Sequence, residues 1–110
     1  MNENCRILVI DDDYQIIYAL KTLFHYQGWE VSTATNVQDG VLRFQEDHPD
    51  LIIIDYYMPN INGVLGVELF RRLSSTIPII VFTIDEKQET ADKFLQAGAS
   101  DFAVKPIKGP

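Results

Sequence analysis

The sequence predicts an α/β fold in which five parallel strands form one sheet, doubly wound with helices on both faces. Two observations carry this prediction. Strand-like apolar segments alternate with segments of helical periodicity along the whole chain, and the connections are short. The third strand-like segment, 51–54, is a continuous apolar run that ends in Asp55. Such a run is typical of a central parallel strand that is buried on both faces.

The first half of the chain predicts two strand–helix units. The run 6–10 predicts the first strand, and helical spacing of apolar residues predicts a helix over 14–27. The residues expected on its inner face are Ile16, Ile17, Leu20, Leu23 and Phe24. Residues 30–34 predict the second strand. Asn36 is a suitable cap for a helix that runs to about His48. Its expected inner residues are Val37, Val41 and Phe44.

The second half repeats this pattern after the central strand. Helices are expected over 63–74 and 85–97, and strands over 77–82 and 101–104. The proline in the segment 77–82 is tolerable only near the start of a strand. The residues expected on the inner faces of these two helices are Val64, Val67, Phe70 and Leu73, then Ala91, Phe94 and Leu95.

Composition limits the classes of protein to which the chain can belong. Its 110 residues suffice for one domain with a single core. The net charge of −7 argues against nucleic-acid binding by this segment. The apolar runs are too short for a membrane span, and the N-terminus lacks a signal-peptide pattern. Cys5 is the single cysteine, which fits a reducing compartment, and we expect a cytoplasmic protein.

Four of the five predicted strands end in residues with reactive or charged side chains. In chain order these residues are Asp11, Asp12, Asp13, Asp55, Thr83 and Lys105. The carboxyl ends of parallel strands share one edge of the sheet, and ligands of open α/β sheets bind there. We therefore expect these side chains to converge on one cleft.

The chemistry of this cleft points to phosphoryl transfer. Carboxylates that share a cleft repel one another unless a cation joins them, and oxygen ligands of this kind suit Mg²⁺. A carboxylate can act as a nucleophile toward phosphorus, so Asp55 could carry a phosphoryl group whose oxygens Thr83 and Lys105 would bind. Each residue also has a structural interpretation: a solvated loop for the acidic triplet, a turn or helix cap for Asp55 and Thr83, and a surface turn for Lys105-Pro106. Their joint occurrence at successive strand ends favours the functional interpretation.

Several motifs in a fixed order give the sequence a family resemblance. Residues 7–13 combine an apolar strand with an acidic pair, and residues 55–63 combine an aspartate with Met58, Pro59 and Gly63. Thr83, the segment 98–102 and Lys105-Pro106 complete the set. Together these motifs resemble the receiver domains of two-component response regulators, and the resemblance covers nearly the whole chain.

The resemblance implies how the acidic residues act. Asp55 would accept a phosphoryl group from a phosphohistidine of a sensor histidine kinase or a phosphotransfer protein. The cofactor would be Mg²⁺ or Mn²⁺, bound by Asp12 directly and by Asp11 mainly through water. Asp55 itself and the backbone carbonyl of Tyr57 would complete the protein ligands. Such a domain is regulatory and catalyses only its own phosphoryl transfer and autodephosphorylation.

The resemblance also implies a switch and a sheet order. Lys105 would pair with the phosphoryl group, and its bond to Pro106 would be cis. Thr83 would move toward the phosphoryl oxygen while Phe102 turns inward, which would alter the surface near the fourth helix and fifth strand. The strand order would be 2-1-3-4-5, as in flavodoxin-like folds.

The sequence departs from the family pattern at two positions near the expected site. Phe102 stands where tyrosine is common, so a hydroxyl hydrogen bond cannot contribute to the switch. Ile84 stands directly after Thr83, where a small residue is usual. We expect Ile84, together with Tyr57, to modulate access to the phosphoryl group and to slow its transfer or hydrolysis.

A third departure lies at the end of the chain. Receiver domains normally have a fifth helix after the Lys-Pro turn, and here only residues 107–110 follow it. We therefore expect residues 1–110 to be a single receiver domain, the N-terminal fragment of a longer regulator with its output domain elsewhere. The bare half of one sheet face, on the order of several hundred Å², would be available to a homodimer.

Three other functions are compatible with parts of the sequence. Asp11 and Asp13 match the Asp-x-Asp motif of haloacid-dehalogenase-like phosphatases, in which Asp11 would be the nucleophile, but Gln15 and the short chain do not fit that class. A flavodoxin-like cofactor binder would need a phosphate-binding loop where the acidic triplet stands. A third alternative is a receiver-like docking module that is never phosphorylated. The departure from the family pattern at Ile84 is the feature compatible with this alternative.

Overall fold

The computed structural model describes residues 5–58, 61–84 and 87–105, apart from the side chain of Gln88. Strands and helices alternate throughout, as predicted. The strands are β1 (Arg6–Ile10), β2 (Glu30–Ala34), β3 (Leu51–Asp55), β4 (Ile79–Thr83) and β5 (Asp101–Val104). The helices are α1 (Tyr14–Tyr26), α2 (Val37–Asp47), α3 (Gly63–Leu73) and α4 (Gln88–Ala97).

All five strands form one parallel sheet in the order β2-β1-β3-β4-β5, which confirms the expected topology. The run Ile52–Ile54 lies in the middle strand, between β1 and β4, and is fully or almost fully buried. The two faces of β3 therefore have no access to solvent, which explains why its sequence does not alternate. Asp55 is the last residue of this strand.

Alternate residues of the strands belong to two cores, one on each face. The larger core joins β-strand residues such as Ile54 to α2, α3 and α4 through Val37, Phe70 and Phe94. The smaller core joins Ile7, Val9 and Ile53 to Ile17 of α1, with Cys5 packed at its margin. The helices thus cover both faces, as the doubly wound fold requires.

Three helices begin at a side-chain cap. The sequence predicted the cap at Asn36, and the other two, Asp13 and Asn62, directly precede the predicted helix starts. The carboxylate of Asp13 accepts a hydrogen bond from Gln15 N at 2.9 Å, and Asn36 Oδ1 accepts one from Asp39 N at 2.8 Å. Asn62 caps α3 in the same way, through Leu65 N at 3.0 Å. These side chains satisfy backbone donors that have no partner inside the helix.

Two element starts differ from the prediction. The fourth strand begins at Ile79 and not at residue 77, because Pro78 has no N–H to donate to the ladder and only its carbonyl accepts, from Ile52 N at 3.0 Å. The fourth helix was expected from residue 85 but begins at Gln88, since Lys87 has an extended backbone and serves as its N-cap. Residues 85 and 86 lie outside the described part of the chain.

Three leucines that were expected on inner helix faces are exposed. They are Leu23, Leu73 and Leu95. Each helix packs on the sheet through a narrow stripe, and a residue at the flank of that stripe is rotated toward solvent because successive residues turn by about 100°. Leu95 shows this directly, since its neighbour Phe94 is fully buried. The remaining inner residues of these helices are buried or pack against the cores, as predicted.

The end of the chain leaves two expectations open. The cis Lys105–Pro106 bond and the segment after it lie outside the described residues. Within the described part of the chain, no helix follows β5, and Ile80 and Phe82 of β4 are only partly buried at the margin of the α1-side core. None of the described helices is long and apolar enough to cross a membrane.

Candidate functional site

Asp55 stands at the edge of the sheet where β3 ends. The residue is only 5% exposed. The backbone fixes its direction, because Tyr56 N donates to Phe82 O at 3.2 Å and keeps β3 paired with β4 up to this point. The backbone N–H of Tyr57 lies close enough to the Asp55 carboxylate to lower its pKa.

Lys105 reaches Asp55 from the end of β5. Its backbone N donates to Thr83 O at 2.6 Å, which extends the β4–β5 pairing by one residue. Its Nζ lies 3.1 Å from Asp55 Oδ1 and 3.0 Å from Asp11 Oδ2, and 5.8 Å from the centre of the Phe82 ring. The Lys105 side chain is itself largely buried. The predicted ammonium therefore bridges two carboxylates on neighbouring strands.

The acidic triplet after β1 divides into three roles. Asp11 is buried and pairs with Lys105, and its Oδ1 accepts a hydrogen bond from Asp13 N at 2.9 Å. Asp12 is exposed, and it forms a group with Asp11 and Asp55 in which one carboxylate oxygen from each residue lies within 4.8 Å of the other two. Asp13 is not one of this group, and its side chain caps α1. Its capping role removes the second aspartate from the Asp-x-Asp interpretation.

Burial sets the proton affinity of the phosphoacceptor candidate. It raises the pKa of Asp55 to about 6, and the negative charge of Asp11 acts in the same direction, while Lys105 and the N–H of Tyr57 act against them. For Lys105 burial lowers the pKa, but the hydrogen bond to Asp11 and the charges of Asp55 and Asp11 outweigh it, so its pKa lies above the usual value. The carboxyl and the ammonium thus stabilise each other's charged forms.

The donor set fits a divalent cation. Three carboxylates and one ammonium leave a net charge of two negative when all are ionised. A hard dication would neutralise that charge, and carboxylate oxygens together with water are the ligands that Mg²⁺ prefers. Asp12 is exposed and, within the described ranges, makes none of the Lys105 contacts, so its carboxylate could serve such an ion. The Tyr57 carbonyl remains a predicted ligand.

The residues predicted for the switch and for access lie around this cluster. Thr83 is fully buried at the end of β4, and Phe102 is partly buried and packs against the larger core. Ile84 is 65% exposed and Tyr57 is also exposed, so both side chains line the solvent side of the strand ends. Their roles in switching and in access stay predictions.

Two features of the site were not predicted from the sequence. Tyr56 packs edge-on against Phe94 of α4, with ring centres 4.9 Å apart, and so joins the residue after Asp55 to a helix. Gly63 begins α3 directly against the strand end, where a Cβ would lie 2.8 Å from both Asp55 O and Tyr56 Cα. The glycine motif signalled a special position but not this close approach, and nothing in the sequence marks Tyr56.

Comparison with known families matches the chain to one of them. Residues 7–110 match the family described as "Response regulator receiver domain". Among curated proteins, the chain is 34% identical over 102 residues to Regulatory protein AtoC of Escherichia coli, which covers 93% of this chain and 22% of that protein. It is 34% identical over 102 residues to Transcriptional regulatory protein PrrA of Mycobacterium leprae, covering 93% of this chain and 44% of that protein. The chain therefore spans less than half the length of these two relatives.

Solved structures of response regulator receiver domains superpose on this chain as well. The response regulator receiver domain protein from Clostridium thermocellum superposes with a TM-score of 0.86 at 28% identity, covering 94% of this chain and 84% of that one. The chemotaxis response regulator CheY4 of Vibrio cholerae superposes with a TM-score of 0.89 at 28% identity, covering 94% and 88%.

Proposed function

The chain belongs to the response regulator receiver domains of two-component systems, and from this membership we propose that Asp55 is its phosphoacceptor. One observation carries the proposal. The Asp55 carboxylate is buried at the end of the central strand, 3.1 Å from the Lys105 ammonium and within 4.8 Å of two further carboxylates. One edge of the sheet thus holds a nucleophile (Asp55), a cation for the phosphoryl oxygens (Lys105) and carboxylate ligands for a metal. Phosphoryl transfer depends on this kind of positioning and charge neutralisation.

The donor we propose is a phosphohistidine on a sensor histidine kinase or a phosphotransfer protein. An Asp55 oxygen attacks phosphorus, an O–P bond forms and the N–P bond of the donor breaks. The electron pair of that bond returns to the imidazole nitrogen, which takes up a proton. Attack requires the ionised carboxylate, so the pKa of about 6 leaves Asp55 reactive at neutral pH.

The surrounding residues would act on the charge that the phosphoryl group brings. Lys105 bridges Asp55 and Asp11 before the reaction, and its ammonium is within reach of oxygens that Asp55 would acquire. Asp11 and Asp12 would hold Mg²⁺ or Mn²⁺, with the Tyr57 carbonyl as a further ligand. When bound, the dication supplies positive charge for the equatorial oxygens of the group in transit.

The output of the reaction would be a change at the α4–β5 surface. Thr83 would bind a phosphoryl oxygen, and the space it leaves would admit Phe102, whose ring already packs against the larger core. The names of two relatives, Regulatory protein AtoC and Transcriptional regulatory protein PrrA, support an effect on transcription through an attached output domain. We propose that residues 1–110 are the receiver part of such a regulator and that it acts in the cytoplasm.

Phosphorylation of the purified chain tests the proposal. Incubation with a small phosphodonor and Mg²⁺ is expected to add one phosphoryl group, and peptide mass spectrometry after borohydride trapping should place it on Asp55. Asp55→Asn should remain unmodified, whereas Asp13→Asn, which alters only the α1 cap, should still be phosphorylated. Chelation of the metal should abolish labelling of the wild type.

Two outcomes would contradict the proposal in different ways. A phosphoryl group on Asp11 would favour the phosphatase-like chemistry, although the Asp11 contact with Lys105 argues against it. No labelling by any small phosphodonor, together with no binding of beryllofluoride, would favour a docking module that is never phosphorylated.

A further inference from the structure

The outer side of α3 presents a ridge of leucines to solvent. Leu65, Leu69 and Leu73 are 50%, 37% and 44% exposed, and we call them the α3 leucine ridge. Residues four apart on a helix are neighbours on its surface, so these three form one continuous line. The inner face of α3 is a separate set, because Val67 and Phe70 are fully buried against the sheet. The ridge is therefore apolar surface that this fold does not use for its own core.

A groove runs beside the ridge. Its volume is about 280 Å³, and it is lined by Ile61, Leu65, Glu68, Leu69 and Arg72. The lining is apolar apart from two long charged side chains, and its volume is below the usual range of small-molecule pockets, ~300–1,000 Å³. A ridge next to a groove of this size is the arrangement by which helices interlock side chains. The shape suits a second helix better than a small ligand.

The charges on this surface specify which helix it would be. Glu68 and Arg72 lie four residues apart on the same flank of the ridge. Among the described residues neither side chain forms an ion pair, with the other or with any third group. In an antiparallel pair of identical helices, equal flanks face each other and run in opposite directions. Glu68 of each copy would then meet Arg72 of the other.

We propose that the α3 leucine ridge is a self-association surface, where two copies of this chain pack their α3 helices antiparallel about a twofold axis near Leu69. The surface is self-complementary, as an isologous interface must be: Leu65 would lie near Leu73 of the second copy, and the Glu68–Arg72 contact would occur twice. The surface also carries one charge of each sign, so the overall charge of −7 does not oppose contact here. This interface involves neither Asp55 nor the sheet face beside α1.

Sedimentation velocity of the chain over a dilution series tests the proposal. The wild type is expected to pass from monomer to dimer as concentration rises. A helix pair of this length buries less than the roughly 800 Å² per partner of a standard interface, so the dimer should dissociate on dilution. Leu69→Glu should abolish dimerisation. The control is Leu42→Glu, which places the same charge at an exposed leucine of α2 and should leave dimerisation unchanged.

Charge exchange at the flank tests the antiparallel arrangement itself. Glu68→Arg and Arg72→Glu each place like charges opposite one another, so each variant alone should dimerise at least about tenfold more weakly. An equimolar mixture of the two should recover dimerisation, because each copy then meets opposite charge. The double variant E68R/R72E should dimerise like the wild type. Circular dichroism checks that every variant keeps its helix content.

The outcomes that overturn the proposal are distinct. A wild type that stays monomeric at all concentrations removes it, as does a dimer that Leu69→Glu leaves intact. If each single charge variant dimerises more weakly than the wild type but their equimolar mixture does not recover dimerisation, the two copies do not pack antiparallel through α3. None of these results bears on whether Asp55 accepts a phosphoryl group.

Discussion

Asp55 is a buried residue with a negative charge. Its burial makes the carboxylate reactive but lowers the free energy of unfolding of the protein. Its pKa is about 6 where an aspartate usually has 3.8, because burial and the charge of Asp11 outweigh the contacts with Lys105 and the N–H of Tyr57. At neutral pH the folded protein therefore holds a carboxylate that would be better solvated in the unfolded chain. A bound dication or a phosphoryl group paired with Lys105 would relieve this cost.

We predict that Asp55→Asn stabilises the chain in the absence of divalent cations. The pKa of about 6, against 3.8, corresponds to about 2–3 kcal/mol at ~1.4 kcal/mol per unit. Between these two values the folded state binds more protons than the unfolded state, so the stability of the wild type falls as pH rises through this window. Asp55→Asn should lack that fall and should gain most above about pH 7, with no gain below about pH 4.

Urea denaturation over this pH range, followed by circular dichroism, measures the effect. Glu46→Gln is a suitable control, because it removes a negative charge from an exposed ion pair with Arg43 and should change stability by less than ~1 kcal/mol. If Asp55→Asn were as stable as the wild type at neutral pH, the carboxylate would not carry the cost assigned to it.

A second prediction at this scale concerns Ile84. The side chain follows Thr83 directly and is 65% exposed, so its removal should not disturb the core. We expect Ile84→Ala to admit water and phosphodonors more easily and to shorten the lifetime of phosphorylated Asp55 several-fold. Decay of the phosphorylated form, measured by Phos-tag electrophoresis, gives the lifetime. Leu42→Ala, at an exposed position on α2, is the control, and equal lifetimes for Ile84→Ala and wild type would refute the role.

At the scale of elements, one side chain ties three of them together. Arg71 donates from Nε and Nη2 to Gly98 O at 2.9 and 2.7 Å, which fixes the end of α4. Its Nη1 donates to Ser74 O at 3.1 Å and to Ile77 O at 2.7 Å, just before β4. These carbonyls follow helix ends or precede a strand, where no regular backbone partner exists. From its place in the last turn of α3 alone, Arg71 would be expected only to interact favourably with the helix dipole.

We predict that Arg71→Met destabilises the chain by about 2–3 kcal/mol, because three partly buried carbonyls lose a charged donor while the aliphatic stem is kept. Thermal and urea denaturation measure this. Arg43→Met is the matched control. Arg43 is also a helical arginine, and among the described residues it pairs only with the exposed Glu46, so its loss should cost less than ~1 kcal/mol. A similar small cost for both variants would show that the Arg71 contacts contribute little.

The elements also show where sequence reasoning succeeds and where it stops. Helix starts at Asn36 and near Asn62 were readable because capping is local chemistry between a side chain and the next turn. The exposure of Leu95 and the reach of Arg71 were not readable, because both depend on which distant segments pack against the helix. Helical periodicity gives the direction of a face but not its width.

At the scale of the whole molecule, the strand order is what makes the site. Because β3 lies between β1 and β4, Asp11 and Asp12 lie on one side of Asp55 and Thr83 lies on the other. Lys105 follows β5, and its side chain reaches back to contact Asp55 and Asp11. This convergence followed from the sequence because all parallel strands end at one edge. The family resemblance already limited the metal ligands of the acidic triplet to Asp11 and Asp12, and among the described residues these are the two carboxylates grouped with Asp55. What did not follow was the role of Asp13, whose carboxylate caps α1. That role depends on the exact turn between β1 and α1.

The same convergence predicts a link between metal and global stability. A cation that binds only the folded chain adds RT ln(1 + [L]/Kd), about 1.4 kcal/mol at ten times Kd, so Mg²⁺ should raise Tm by roughly 5–10 °C. Asp12→Asn should lose most of this shift, because Asp12 contributes an exposed carboxylate to the cluster but no contact to Lys105. Differential scanning calorimetry in MgCl₂ and in NaCl of equal ionic strength separates binding from screening. If NaCl raised Tm as much as MgCl₂ does, or if Asp12→Asn kept the full Mg²⁺-dependent rise in Tm, the three carboxylates would not form a metal site. A rise in Tm that is specific to Mg²⁺ and that Asp12→Asn abolishes would instead show that the net charge of the cluster limits the stability of the sheet edge that holds Asp55.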